Sequence, residues 1–309
     1  MMIARYIFKR LLAALPVVFG VITIAFILLY LLPGDPASTM LARSGASAED
    51  IAELRTELGL DDPLLTQYGK YISRIVQGDF GRSMVSQEPV LKLLMARIPT
   101  TLELVMVALL LAVPIGTLLG VIAAVNQNTW SDRVVVAFAS VGVSMPSFWL
   151  GLMLILFFSV TLGWLPSFGQ GSFRHLILPA AVLAFGAVGT ITRTARTSMV
   201  DVLKQDYIVT ARSKGLAEHT TLFRHALRNA LIPIVTIIGL QFGWLISGSI
   251  IVEAVFSRQG LGLILIDSVL EQDLPVVQGA VLLSSVLYIF LNLVVDLVYG
   301  FVDPKVRYE

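Results

Sequence analysis

The residues best suited to chemistry are few and scattered. A chain that hydrolyses a nucleotide needs a phosphate-cradling GxxxxGK followed by Ser or Thr. The only Gly-Lys here, Gly69–Lys70, is followed by Tyr71 and has no glycine five residues earlier. No GxSxG elbow and no HExxH run occurs, so neither a serine hydrolase nor a zinc protease has its nucleophile or ligand pair. His175, His219 and His225 are the only histidines and do not cluster, and cysteine is absent, which excludes thiolate centres and disulfide frameworks. What remains is "DYIVTARSKGLAEHTTLFRHALRNALIPIV", Asp206 to Val235, where basic and hydrogen-bonding side chains crowd between two apolar stretches. Such a run can rest on anionic lipid through Arg212, Lys214, Arg224 and Arg228. It can also seat a short helix in a partner's groove. Contact with nucleic acid is disfavoured, because the helix has few basic residues.

The elements that must position this run are strongly apolar. Of 309 residues, 56% are hydrophobic and 14% charged, against roughly a quarter charged in a soluble domain, and the mean hydropathy is +0.84. This is the composition of a membrane protein. A net charge of +1 gives no global field for polyanions. A spanning helix needs about twenty mostly apolar residues, and six runs qualify, near Leu11–Leu32, Thr101–Val125, Val134–Leu162, Leu176–Ile191, Leu231–Phe256 and Val276–Val302. The third contains Pro146 and is longer than a straight span requires, which predicts one kinked or tilted helix.

The first run follows Arg5, Lys9 and Arg10 but is too long for a cleaved signal, so it reads as an uncleaved first helix. With both termini on one side, thirteen Lys and Arg fall on that side against nine on the other, seven of the nine in the long first loop. Long loops carry little topological weight, so the N-terminus is predicted to be cytoplasmic. That loop, from about Pro33 to Pro99, should hold two amphipathic helices. In "SAEDIAELRTELGL" Ser47 offers an N-cap, Ile51, Leu54 and Leu58 a face, and Gly59 a stop; "DDPLLTQYGKYISRIVQGD" repeats the pattern with Asp62, Pro63 and Gly78.

Within the basic run, Tyr207, Ile208, Ala211 and Leu216 share one side at helical spacing, and Gly215 stands where a helix would stop. The prediction is a short helix along the membrane surface, a turn, and a longer helix that feeds the fifth span. Ionisable residues in apolar runs need a reason. Glu253 suits a structural place and the external mouth of a pore equally, Asp296 sits near the cytoplasmic end of the sixth span and suits the headgroup interface better than a transport role, and Glu103 is interfacial. Ser144, Ser147, Gln241, Ser247 and Ser249 suit either a wet pathway or close helix packing. Gln241 with Trp244 is the first pair to examine for pore lining, and Ser147 and Glu253 complete the candidate pathway.

"TARSKGL" (Ala211, Gly215) followed by "LRNALIPIV" (Pro233) resembles the cytoplasmic loop of ABC importer permeases, in the form typical of the dipeptide, oligopeptide and nickel branch. The generic loop begins Glu-Ala-Ala, whereas this one has Val209, Thr210 and Ala211 and a longer Gly-to-Pro spacing. "LLPGDPA" at 31–37, "QGDFGRS" at 77–83, "GLQFGWLISGSIIVEAVFSRQGLG" at 239–262 and "NLVVDLVYGFVDPKVRY" at 292–308 are similar to the same branch, so the resemblance spans nearly the whole chain.

The resemblance implies an all-α integral membrane fold of six transmembrane helices, the type I ABC importer permease, with an extended external segment between helices 1 and 2. It implies three parts: 1–96, the first helix and external segment; 97–298, the permease domain with a coupling loop at 197–230; and 299–309, a cytoplasmic tail. The chain would be a non-enzymatic subunit in the bacterial cytoplasmic (inner) membrane, importing dipeptides or oligopeptides by alternating access; nickel and glutathione are the alternatives. Its partners would be a second homologous permease, two ATP-binding subunits that hold ATP and Mg, and an extracytoplasmic solute-binding protein, with no cofactor in this chain. Tyr207, Ala211, Gly215 and Leu216 would dock in the ATPase, with Arg212 and Lys214 at the rim. An ion-coupled secondary transporter is the rival class, against which stand the lack of an inverted repeat and of an intramembrane acid or histidine relay.

Overall fold

The computed structural model describes residues 2–31 and 60–302, with isolated positions between 47 and 56; side chains are described for 12–27 and 60–293. The first amphipathic helix of the external loop, "LLPGDPA", Asp296 and the C-terminal tail lie wholly or largely outside these limits. All described elements of length are helical: α1 (Met2–Leu31), α2 (Leu64–Val76), α3 (Val90–Val125), α4 (Trp130–Ser144), α5 (Ser147–Thr161), α6 (Arg174–Leu203), α7 (Asp206–Ser213), α8 (Glu218–Val255), α9 (Leu261–Leu270) and α10 (Leu274–Val302). Among the described residues α3, α6, α8 and α10 are long and apolar enough to cross a membrane, and α4 with α5 makes a fifth if the bent pair counts as one span.

The chain divides into two compact units, residues 1–100 with 259–289 and residues 101–258 with 290–309. In the first, α2 ends as predicted. Gly78 adopts φ +80°, and the amides of Gly78 and Asp79 reach back to the carbonyls of Ile75 and Arg74, the paired bonds of a Schellman cap. Phe26 of α1 stacks near Tyr68 and Tyr71 of α2 at 5.1 and 5.6 Å, and burial pushes the Tyr71 phenol up to about 12. Gln278 of α10 donates to the Ala25 carbonyl of α1 at 2.8 Å. Buried Asp273, before α10, accepts bonds from Ser83 Oγ and the Met84 amide, which fixes the loop ahead of α3.

In the second unit α6 is the central helix, flanked by α4 and α8. Its neighbours approach through glycines. A Cβ on Gly189 would collide with the Ala139 carbonyl oxygen of α4, and one on Gly120 of α3 would sit 2.5 Å from the Ala195 Cβ of α6. Small residues at such crossings let backbones pack closely where no hydrophobic drive separates helix from lipid. Gly189→Val is therefore expected to push α4 off α6 and to lower the yield of folded protein severalfold in detergent extraction; a normal yield with an unchanged melting temperature would refute this.

Three expectations need correction. The third run is two helices that meet at 104° rather than one kinked or tilted helix. Met145 is extended (ψ 126°) ahead of Pro146, because the proline ring excludes the helical conformation from the residue before it. The second span starts at Val90, inside the supposed external loop, and runs through Pro99; burial of Val90 and Leu94 against Leu261, Val276 and Ala280 outweighs the one bond Pro99 cannot make. Finally, α6 continues twelve residues beyond Ile191, to Leu203, and α9 was not anticipated.

Candidate functional site

Two features of the second unit carry the sequence-predicted residues. One is a cleft of about 290 Å³ lined by Val143 of α4, Gly186 and Thr190 of α6, and Leu240, Gln241 and Trp244 of α8. Gln241 and Trp244 are thus brought together. The Gln241 side chain is 7% exposed and Trp244 is 52% exposed. Gly186 makes room for the indole, since a Cβ there would lie 2.9 Å from the Trp244 ring. The arrangement offers an aromatic face, an amide and the Thr190 hydroxyl over a small apolar hollow, the mix that orients a small polar solute. Ser147, at the first turn of α5, is half-buried and does not line the cleft. Glu253 lies farther along α8, fully buried in this unit, and does not line it either.

The other feature is the connection from α6 to α8. The helix α7 forms where the spacing predicts it, and it stops by the predicted chemistry. Gly215 takes φ +79°, its amide bonds the Arg212 carbonyl, and the Leu216 amide bonds the Ala211 carbonyl. This is again a Schellman cap, whose left-handed position suits glycine because it has no Cβ. Ile208 is fully buried with Met199 and Val200 of α6 and Ala226 and Ala230 of α8. The predicted apolar face is therefore divided: Ile208 holds α7 to its own chain, while Tyr207, Val209 and Leu216 remain exposed. Ala211 is half-buried, and Arg212, Lys214 and Gly215 are exposed. Two side chains tie α7 to α8. Arg212 forms a forked ion pair with Glu218, at 2.6 and 3.2 Å, and the Tyr207 hydroxyl accepts a bond from the Asn229 amide at 2.7 Å.

Comparison with known proteins decides what this architecture is. Residues 116–308 match the family described as "Binding-protein-dependent transport system inner membrane component", and residues 2–105 match its N-terminal counterpart. The chain is 47% identical over 305 residues to the glutathione transport system permease protein GsiC of Escherichia coli (strain K12), covering 99% of each chain. The protein of the same name from Salmonella typhi is also 47% identical, with the same coverage. This protein is an ABC importer permease. It belongs to the inner-membrane components of binding-protein-dependent transport systems, in the dipeptide, oligopeptide and nickel branch.

The permease fold is seen again in solved structures. An inward-facing form of the MetNI methionine ABC transporter matches with a TM-score of 0.62 at 23% identity, covering 70% of this chain and 99% of that one. An amino acid ABC transporter matches at a TM-score of 0.51 and 17% identity over 69% of this chain. A multi-pass inner-membrane protein follows from the family and the apolar helices together.

Two ion pairs with a buried partner were not anticipated. Asp132, at the start of α4, is buried and accepts both arms of Arg196 from α6, at 2.5 and 2.7 Å, as well as the Asn128 amide at 2.9 Å. Arg258, just past α8, is 2% exposed, donates to Glu103 at 2.9 Å and reaches the His175 carbonyl at 3.5 Å. A charged residue amid apolar sequence was the available signal, but its partner lies 64 or 155 positions away.

Proposed function

We propose that this permease is one of two homologous membrane subunits of an importer for short peptides, glutathione among them, driven by ATP bound and hydrolysed with Mg on two separate subunits and supplied by an extracytoplasmic binding protein. The observation that carries the substrate class is the 47% identity, across 99% of both chains, to a permease of a glutathione transport system. Glutathione is a modified tripeptide, so it falls within the peptide reading rather than beside it. The Gln241, Thr190 and Trp244 surface suits such a solute, since amide and hydroxyl groups can meet peptide bonds while the indole covers apolar stems.

Six spans with both termini in the cytoplasm remain the topology that the Lys and Arg asymmetry supports. In that orientation α7 faces the cytoplasm, and its exposed Tyr207, Val209, Lys214, Gly215 and Leu216 form the docking surface for an ATPase subunit. Closure of two ATPases on ATP would draw the docked helices together and tilt the spans, which requires contacts that differ between the two states. Uptake of labelled glutathione into proteoliposomes holding the full complex and its binding protein tests this. Vanadate should arrest uptake, an uncoupler should not, and excess dipeptide should compete more strongly than nickel. Uptake that persists in vanadate and collapses with the proton gradient would sink the reading.

A further inference from the structure

The start of α8 is not α-helical throughout. Thr221–Ala226 winds as a π-helix between one α-helical turn, Glu218–Thr220, and the long α-helical stretch from Leu227. A π-turn holds one residue more than the α-turn it replaces, has weaker bonding geometry, and interconverts with α-helix by a one-residue shift. Such a shift rotates the downstream helix by about 100° relative to the upstream turn. The segment carries its own mark of incomplete satisfaction, because Thr221 is fully buried and its Oγ1 has no hydrogen-bond partner. A compliant turn at this place would absorb any displacement of α7 before it reached the apolar length of α8.

The two ties of α7 fall on either side of that turn. Arg212 grips Glu218, before it, and Tyr207 is gripped by Asn229, beyond it. Between the two handles α7 is a closed helix of eight residues with a capped end, and Ile208 presses it onto Ala226 at the end of the π-turn. We infer that Tyr207 and Arg212 are positioning residues that splint the π-helical turn Thr221–Ala226, so that α7 and the membrane-spanning part of α8 move as one body. This rests on the reading of α7 as the helix that meets the ATPase. It gives Tyr207 and Arg212 a task inside the chain, distinct from contact with the partner.

The splint predicts slippage, in which ATP is hydrolysed with less solute moved. In proteoliposomes holding the complete transporter and its binding protein, glutathione uptake and ATP hydrolysis are measured on the same vesicles. Asn229→Ala and Tyr207→Phe remove the same hydrogen bond. Each should lower uptake per ATP about fivefold, the size of one net hydrogen bond, and the double variant should fall no further than the lower single one. Arg212→Glu should lower the ratio similarly, and the exchanged pair Arg212→Glu with Glu218→Arg should recover it. Amide hydrogen exchange across 221–226 should quicken in each weakened variant. A ratio unchanged in Asn229→Ala, effects that multiply in the double variant, or no recovery in the exchanged pair would overturn the splint. Loss of the ATPase from the Asn229→Ala complex would overturn it too, since Asn229 lies off α7. The underlying reading is decided separately, in the otherwise unaltered chain, which has no cysteine of its own. If the thiol of a Leu216→Cys variant fails to cross-link to the ATPase subunit, the coupling role of α7 falls and the splint with it.

Discussion

Gly215→Val should abolish most uptake, by tenfold or more, while the protein still inserts into the membrane and Gly215→Asn stays within about twofold of the parent. The reason is conformational rather than steric. A Cβ at Gly215 would meet nothing within 4 Å, yet the residue sits at φ +79°. An L-residue pays about 1–2 kcal/mol there, a β-branched one more, and asparagine is tolerated because its side chain bonds locally. At 2 kcal/mol a two-state balance moves by about thirtyfold, enough to unwind the cap on an eight-residue helix. Without the cap, Leu216 and the chain leading to Glu218 leave their places, so both the exposed face of α7 and the Arg212–Glu218 pair are disturbed. The measurement is uptake alongside ATP hydrolysis in reconstituted vesicles. Full uptake in Gly215→Val would count against α7 as the point where force enters.

The largest expected effect on stability belongs to Asp132 and Arg196. Asp132 is almost fully enclosed, whereas a quarter of the Arg196 side chain meets the surface. Arg196→Ala should therefore cost the more, about 3 kcal/mol, because it leaves a buried carboxylate without its counter-charge. Asp132→Ala should cost less, since the guanidinium it leaves behind can turn outward. Replacing both, as Asp132→Leu with Arg196→Met, should lose less than Arg196→Ala alone, because no buried charge is then stranded. Thermal unfolding of the purified permease in detergent checks the order. If Arg196→Ala melts with the parent, the pair is ornamental to the packing of α4 on α6.

Around the basic run, local and tertiary determinants separate most clearly. Helix α7, its stop at Gly215 and the long helix after it were legible, because each depends on neighbours within a few positions: helical spacing, a glycine at the left-handed position, a proline at the return. The division of its apolar side was not. Tyr207, Ile208, Ala211 and Leu216 are alike to a pattern, yet only the placement of Met199, Val200, Ala226 and Ala230 around Ile208 makes that residue internal and leaves its neighbours outside. Arg212 and Tyr207 likewise read as surface groups, and their partners in α8 give them a second task.

The same division runs through the rest of the chain. Apolar runs of spanning length mark a membrane protein from the sequence alone, the bias of Lys and Arg gives its expected orientation, and the ordered motifs carry the resemblance to ABC importer permeases, since each is a property of composition or of short spacing. The Met145–Pro146 corner had its signal in the proline, but local rules give a bend without an angle, and 104° depends on how α5 packs. The continuation of α3 upstream through Pro99, the pairing of Asp132 with Arg196, and the cleft that sets Trp244 over Gly186 were decided by tertiary structure. Each turns on residues far apart in the chain, where the gain from packing or from neutralising a buried charge exceeds the local preference that the sequence displays.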